Sequence, residues 1–440
     1  MRRISLFTVA ALAAGSLGAQ GAPRTVTMTL DEAIALARRS NPTYLQSINA
    51  RKRTTLGMRA AYAAFAPTAS SNLGFGWREG RPTFFEGQQV GAATDVLSSN
   101  YGISVGVGYS YASLLAPREA AAQIDAAESN VDATFQGVRQ QVISAYFNAV
   151  QAVKSAELQD SLVNSRRLQV DLSRAKEKVG SGTPLDTKTA EVNLGTQQIA
   201  ALRAHNQADI AKIQLFQAIG TAPQPSIELT TDLPVSEPTF TLDALLADAT
   251  AHNANLAATQ ANVQASEITR KQTTSSYLPS VSFSTGIGGS TSMNTDAKGS
   301  ARTWPFDFTR SPLTFSAGFN LALWDGYRRE QNNQSAAIAV SDARENLRQT
   351  RLNLVNNVTS AYMILVSDYK AIDLQNQAAS NAKDALDLAT ERYRVGSASF
   401  LELSNAQDAF QTAQNAQLNA IYTYHRDFAA LEAAVGRPLR

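Results

Sequence analysis

Glu391–Leu403 reads E-R-Y-R-V-G-S-A-S-F-L-E-L, and Ala175–Thr187 reads A-K-E-K-V-G-S-G-T-P-L-D-T. In both, a Val-Gly pair (Val179-Gly180, Val395-Gly396) closes a long helical pattern, because glycine after a helix takes the left-handed conformation without a Cβ clash. The chain restarts three residues later. Thr183-Pro184-Leu185-Asp186 and Ser399-Phe400-Leu401-Glu402 both fit a capping box, in which a hydroxyl caps the first turn and a carboxylate three residues on bonds back. Pro184 falls at the first helical position, where its missing N–H costs nothing. Each stretch is a tight turn between two antiparallel helices, and the chain contains two of them.

The two turns are matched landmarks of a duplication. Residues 30–77 align without gaps onto 242–289 at an offset of 212, and 123–220 align onto 339–436 at an offset of 216. Leu30-Asp31 falls on Leu242-Asp243, Asn41 on Asn253, Pro67 on Pro279, Ala145-Tyr146 on Ala361-Tyr362, and Gly220 on Gly436. The predicted organisation is a signal peptide over 1–22, a first repeat over 23–220, a Pro-rich bridge over 221–240 and a second repeat over 241–440.

Each repeat has one predicted order of elements. A helix comes first, started in the first copy by Thr29-x-x-Glu32, interrupted at Asn41-Pro42 and ended by Pro67 or Pro279. Two strands follow, about 68–78 and 101–115 in the first copy and about 280–290 and 312–324 in the second, with polar loops between them. Leu73, Phe75 and Trp77 alternate with Asn72, Gly74 and Gly76; Ile103, Val105, Val107, Tyr109 and Tyr111 alternate with glycine and serine. Long helices come next, about 118–179 and 327–395, then return helices, about 184–219 and 400–435. Val131, Phe135, Val138, Val142, Ala145, Ala149, Ala152 and Ala156 recur at spacings of four and three, as do Leu347, Leu354, Val358, Ala361, Leu365 and Ile372, with Arg351 and Asp368 breaking the second series. That is a coiled-coil seam, and each long helix would run roughly 90–100 Å at 1.5 Å per residue.

The balance of 39 basic against 37 acidic residues gives no reason to expect nucleic acid as a partner. Charged residues are only 17 % of the chain, low for a coiled coil standing alone in water. Arg2-Arg3 followed by an apolar run from Ile4 to about Ala14 reads as a secretory signal cut within about 18–22. No stretch approaches the length of a transmembrane helix. With no cysteine, no disulfide and no lipid-anchoring cysteine at the new N-terminus are expected.

Strands of roughly 10 residues with one apolar and one small or polar face suit a membrane-spanning barrel or a half-buried sheet in a soluble protein. The signal peptide, with Gly and Ser rather than charges on the second face, favours the barrel. Trp77, Tyr109, Tyr111, Trp304 and Trp324 near the strand ends suit interfacial girdles. Four strands cannot close, and an open edge is not tolerated in lipid. Copies must therefore share one barrel, two giving eight strands and three giving twelve, while the helices project into water.

With Leu30-Asp31-Glu32-Ala33, Asn41-Pro42, the two-copy layout and the V-G-x-x-x-x-L-[DE] turns in hand, the sequence resembles the TolC family of outer-membrane efflux and secretion channels over essentially its whole mature length. The resemblance implies an α+β membrane protein: a homotrimer with a 12-stranded β-barrel, four strands per chain, continued by a long antiparallel α-helical barrel across the periplasm. It implies outer-membrane lipid around the barrel, a periplasmic adaptor (membrane fusion) protein and an inner-membrane efflux pump or ABC transporter as partners, no cofactor, and passive export without chemistry by this chain. In the family, carboxylates, a Tyr and an Arg close the periplasmic mouth. By position, Asp186 and Glu402 match the carboxylates and Tyr393 the Tyr. Ala398 stands where the Arg would be and Asn405 replaces a second acid, leaving Arg394 or Arg392 to substitute. Val179, Gly180, Thr183, Pro184, Val395, Gly396 and Ser399 are the implied adaptor-docking turns.

Other chemistries find little support. His205, His252 and His425 lie on helical stretches without metal-ligand spacing and read as helix-surface residues. Gly74-Phe75-Gly76 and Gly106-Val107-Gly108 sit inside strand patterns and open no helix, and no phosphate-binding loop, zinc-protease motif or nucleophile elbow occurs. The remaining alternative is a non-transport periplasmic coiled coil that spaces the envelope.

Overall fold

A computed structural model of the chain describes residues 26–90, 94–224, 227–230, 234–294 and 306–439; the signal-peptide expectation for 1–22 lies outside them. In order, the elements are β1 (Val26–Met28), α1 (Leu30–Ser40), α2 (Pro42–Ala63), β2 (Thr68–Arg78), β3 (Thr83–Phe85), β4 (Gln88–Val90), β5 (Val96–Tyr109), α3 (Tyr111–Lys178) and α4 (Pro184–Ile219). There follow β6 (Ile227–Leu229), α5 (Leu242–His252), α6 (Ala254–Thr274), β7 (Ser280–Asn294), β8 (Thr309–Asn320), α7 (Arg328–Arg394) and α8 (Phe400–Val435). The chain divides into two units, one holding Gln141–Ser236, Ala371–Arg426 and the N-terminal segment to Asn41, the other holding Pro42–Gln140, Glu237–Lys370 and the C-terminal segment from Asp427.

The second of these units contains an antiparallel sheet in the order β2-β5-β7-β8. Its register puts Leu73 against Tyr101, Ile103 against Ile287 and Val107 against Phe283, so large apolar side chains share one face. That face is uncovered: Leu73, Phe75, Trp77, Phe283, Phe315 and Phe319 are all exposed. On the opposite face, polar side chains cross onto glycines. A Cβ at Gly74 would lie 2.6 Å from Asn100 Oδ1, and one at Gly102 2.5 Å from Asn72 Oδ1. Pro312 sits where the β7–β8 register slips between Gly286 and Gly288, a bulge on an outer strand where its missing donor is tolerated.

Several boundaries depart from expectation for local reasons. The strand expected over 101–115 ends at Tyr109, because Ser110 and Ser113 bond each other's N–H through their hydroxyls (2.9 and 3.2 Å) and start α3 at Tyr111. Pro117 is then inside the helix rather than before it. The loop expected over 79–100 holds the β3–β4 hairpin, turned at Glu86 (φ 48°) and Gly87 (φ 82°), whose paired left-handed residues match strand twist. The strand expected over 312–324 stops at Asn320; Gly326 and Tyr327 then turn the chain with positive φ, and Asp325 caps α7 through the Arg329 N–H at 3.0 Å.

Within each unit an asparagine at a helix break holds the end of a return helix. Asn41 Nδ2 donates to the Ala218 carbonyl at 2.8 Å, beside the left-handed Gly220 that ends α4. Asn253 Nδ2 donates to the Ala434 carbonyl at 2.9 Å, while its Oδ1 accepts from Leu256 N–H at 3.0 Å to start α6. Gly436 (φ 90°) closes α8 so tightly that a Cβ there would lie 2.6 Å from the His252 carbonyl oxygen. In the first unit the parallel pair β1–β6 is clasped by the buried Tyr146, whose hydroxyl donates to Thr230 O (2.9 Å) or Met28 O (3.0 Å). Burial pushes that phenol up from its ordinary pKa. The seam residues Val142, Ala149, Val358 and Leu365 are fully buried. His425 corrects the helix-surface reading: it is buried and stacks on Phe147, centroids 5.4 Å apart.

One polar intrusion interrupts the α7–α8 seam. Asp368 and Asp427 share a hydrogen bond, whereas the residues 216 positions earlier are Ala152 and Ala211. Asp368 Oδ2 is buried without a donor. Burial foremost, then the hydrogen bond and charge of Asp427, push the Asp368 carboxyl up to about 6. The folded state therefore holds a proton that the unfolded chain releases near pH 4, so stability falls as pH rises from about 4 to about 6 and stays low above. Asp368→Asn is expected to abolish that fall. It should raise stability at pH 7.5 by roughly 1 kcal/mol, discounted for partial exposure, with little gain at pH 4; thermal midpoints of both proteins across this range check it.

Candidate functional site

The two turns between long and return helices lie in the first unit and are built from the same backbone bonds. Behind α3, Ser181 N–H donates to Lys176 O (2.9 Å) and Gly180 N–H to Glu177 O (3.0 Å), with Gly180 at φ 75°. Behind α7, Ser397 N–H donates to Arg392 O (2.8 Å) and Gly396 N–H to Tyr393 O (3.1 Å), with Gly396 at φ 84°. This is the Schellman closure, which satisfies carbonyls the helix leaves open.

The restarts differ. Thr183 Oγ1 accepts from Asp186 N–H (3.2 Å), and the Asp186 carboxylate accepts from Thr183 N–H (3.3 Å), a complete capping box with Pro184 at its first helical turn. At the second turn Ser399 Oγ accepts from Glu402 N–H at 3.2 Å, but the Glu402 carboxylate instead takes Arg392 Nη1 at 2.6 Å. The second box, expected whole, is half formed because a guanidinium outbids an amide for the carboxylate. Arg392 also donates to Ser397 O at 3.3 Å, so it braces the turn from within.

Tyr393 is buried among Val170, Ala190, Ala389, Phe400 and Leu403, with Ala398 packed against this cluster. Its ring meets Phe400 edge-on at 6.1 Å and its hydroxyl approaches Ser173 Oγ at 3.4 Å. Lys176, which sequence reasoning passed over, is buried too. Its ammonium donates to the Tyr393 carbonyl and lies 4.6 Å from the Tyr393 ring centroid. A cation at the carbonyl end of α7 gains from the helix dipole and the ring face together. No spacing rule marks it, because Lys176 and Tyr393 meet only across the two hairpins.

Of the expected gate residues, the fold joins Tyr393 to the turn core and ties Glu402 to Arg392. Asp186 remains in its own cap, and Arg394 pairs with Glu391 one helical turn back at 2.8 Å. Asn405 is exposed. At matched places in the two turns, Val179 and Leu185, and Val395 and Leu401, are 77 %, 73 %, 70 % and 67 % exposed. Among the described residues no group of three or more His, Asp or Glu side chains could hold a metal ion.

The outer membrane efflux protein family model matches residues 33–221 and 245–437, one match in each half. The chain belongs to this family, and its place is the outer membrane. It is 22 % identical to outer membrane protein TolC of Escherichia coli (strain K12) over 311 residues, 69 % of this chain and 63 % of TolC, so the match spans under two thirds of that relative. It is 24 % identical to outer membrane efflux protein BepC of Brucella suis over 317 residues, 72 % of this chain and 66 % of BepC. Its fold is that of the solved CusC structure, with a TM-score of 0.77 at 15 % identity over 93 % of this chain and 92 % of that one.

Lys176→Met is expected to leave the Tyr393 carbonyl without its charged donor and to cost about 1.5–3 kcal/mol locally. Hydrogen exchange at the amides of 393–403 should quicken accordingly. Arg394→Gln, which removes an exposed pair, should change the same amides by less than about 1 kcal/mol.

Proposed function

We propose that the chain is the outer-membrane exit duct of a tripartite efflux or type I secretion system, passively conducting what an inner-membrane pump and a periplasmic adaptor deliver. The observation that carries this reading is the four-stranded sheet, whose apolar face is uncovered and whose outer strands β2 and β8 each have one partner among the described residues. In hydrocarbon such a sheet must close on further copies of itself. Three copies would form a 12-stranded barrel continued by an α-helical barrel, and family membership supports that number over two. The duplication into repeats over 23–220 and 241–440, joined by 221–240, would supply both helical hairpins of each copy.

The turns are then the periplasmic mouth. Asp186 and Glu402, repeated around an axis, would form a negative ring, with Tyr393 and Arg394 at its rim and Arg392 holding Glu402. The exposed Val179, Leu185, Val395 and Leu401 flank Gly180, Thr183, Pro184, Gly396 and Ser399 and would be the adaptor's footing. An exposed apolar pair repeated on both turns suits a helical partner better than water.

Envelope fractionation and planar-bilayer recording test the duct. A heat-modifiable outer-membrane oligomer with steady conductance is expected; a soluble monomer would return the periplasmic spacer reading. Asp186→Asn with Glu402→Gln should weaken block by multivalent cations at the mouth, and unaltered block would remove both carboxylates from the gate. Val395→Asp with Leu401→Asp should abolish export in cells while leaving single-channel conductance intact, separating docking from conduction.

A further inference from the structure

The ends of the sheet where helices attach are all one end. α2 leads into β2, β5 into α3, α6 into β7 and β8 into α7, and the register sets Thr68 near Gly106, Tyr109 against Val281 and Ser280 against Asn320. Around this junction large apolar side chains stand out from the surface. Tyr62, Tyr111, Leu114, Leu323, Trp324 and Tyr327 are all exposed, and Trp324 meets Tyr327 edge-on at 4.7 Å. Aromatic residues with one wet end favour the membrane–water boundary.

Adjoining this collar, with Tyr111 common to both, lies a cavity of about 710 Å³ between α3, α6 and α7. Four cations line it, Arg118, Arg270, Lys271 and Arg344, against a single acid, Glu267. Glu267 is already taken by Arg344 at 2.6 Å. Glu119, the acid next to Arg118, is held by Thr269 and Gln123 at 3.1 and 3.3 Å. Arg118, Arg270 and Lys271 form no ion pair among the described residues, so the lining side chains sum to three positive charges, with the Glu119 carboxylate outside the lining. Its remaining wall includes the apolar Tyr111, Leu115 and Val340. Positive charge beside apolar surface matches a ligand that is anionic at one end and hydrocarbon at the other. At 1.5 Å per residue, Arg118 and Arg270 lie about 10–15 Å along their helices from the sheet, within reach of the headgroup layer for long side chains that extend toward it.

We propose that this junction binds an anionic phosphoglyceride of the adjacent leaflet, its phosphodiester on Arg118, Arg270 and Lys271 and its acyl chains along the aromatic collar. The inference rests on the barrel reading, because only a membrane-spanning sheet brings the leaflet to this level. A bound lipid of this kind would fix the depth of the barrel and stiffen the joint between strands and helices.

The test uses the full-length oligomer purified in nonionic detergent and stripped of lipid. It is titrated separately with phosphatidylglycerol, phosphatidylcholine and inorganic phosphate, with bound lipid counted by native mass spectrometry and the thermal midpoint recorded. Phosphatidylglycerol should bind and raise the midpoint, while phosphatidylcholine and phosphate at equal concentration should not. The triple variant Arg118→Gln, Arg270→Gln, Lys271→Gln should bind phosphatidylglycerol on the order of 100-fold more weakly, each cation near an anionic surface contributing about fivefold. Equal binding of phosphatidylcholine, complete displacement of the lipid by phosphate, or undiminished affinity in the variant would overturn the assignment. If the triple variant does not assemble, Leu115→Trp fills the cavity and leaves the charges in place; lost binding supports the site and retained binding overturns it. Conductance is recorded alongside. Wild-type protein that conducts without binding phosphatidylglycerol overturns the lipid site alone, and protein that fails to conduct overturns the duct reading on separate grounds.

Discussion

A strand in hydrocarbon must pair both of its edges, because no water is present to take an idle N–H or C=O. On the proposed reading the sheet β2-β5-β7-β8 suits that solvent on one face and not at its two outer strands, each of which has one partner among the described residues. Its apolar side chains point where a single chain offers nothing to cover them, and its glycines sit where neighbouring asparagines need room. Much of the remaining structure can be understood as what such a sheet demands. Helices enter and leave at one end, so four of them crowd there; on the proposed barrel reading their junction would serve lipid on one side and water on the other.

The helices solve a different problem with a repeated device. A broken helix meets the end of a return helix in each unit, and open carbonyls there would otherwise face a buried surface. An asparagine side chain at each break supplies the donor, and a left-handed glycine ends the helix beside it. Proline alone would break the helix; the amide both breaks it and makes use of the break, which explains why Asn41 and Asn253 fall at equivalent places.

Local chemistry could be read from the chain, and chemistry that depends on distant segments could not. Capping residues such as Thr29 and Thr183, turn glycines such as Gly180 and Gly396, and period-two strands announce themselves within a few residues. The β3–β4 hairpin did not, because its turn places Glu86, a residue with a side chain, in a conformation that sequence patterns reserve for glycine. The start of α3, expected at about 118, lies seven residues earlier because Ser110 and Ser113 cap the helix ahead of Pro117. Three-residue strands such as β1 and β6 are too short to show a period. At the turns, Arg392 and Arg394 cannot be told apart by spacing, since each lies one residue from Tyr393; only the folded hairpin turns one toward Glu402 and the other back along its own helix. Lys176 was invisible because a buried lysine contradicts every composition rule until its carbonyl and ring partners are known.

The two turns share their backbone closure and their exposed valine and leucine, yet their carboxylates are held in unlike ways. Asp186 is fixed by an amide of its own cap, a short-range bond that dissolved salt hardly touches. Glu402 is fixed by a guanidinium that is itself half exposed, and attraction of that kind fades as counterions crowd in. The hairpins are therefore a matched pair with mismatched sensitivity to ionic strength. In a salty medium the Arg392–Glu402 tie weakens first, and any partner touching both carboxylates would find one held constantly and the other tuned by the surrounding electrolyte.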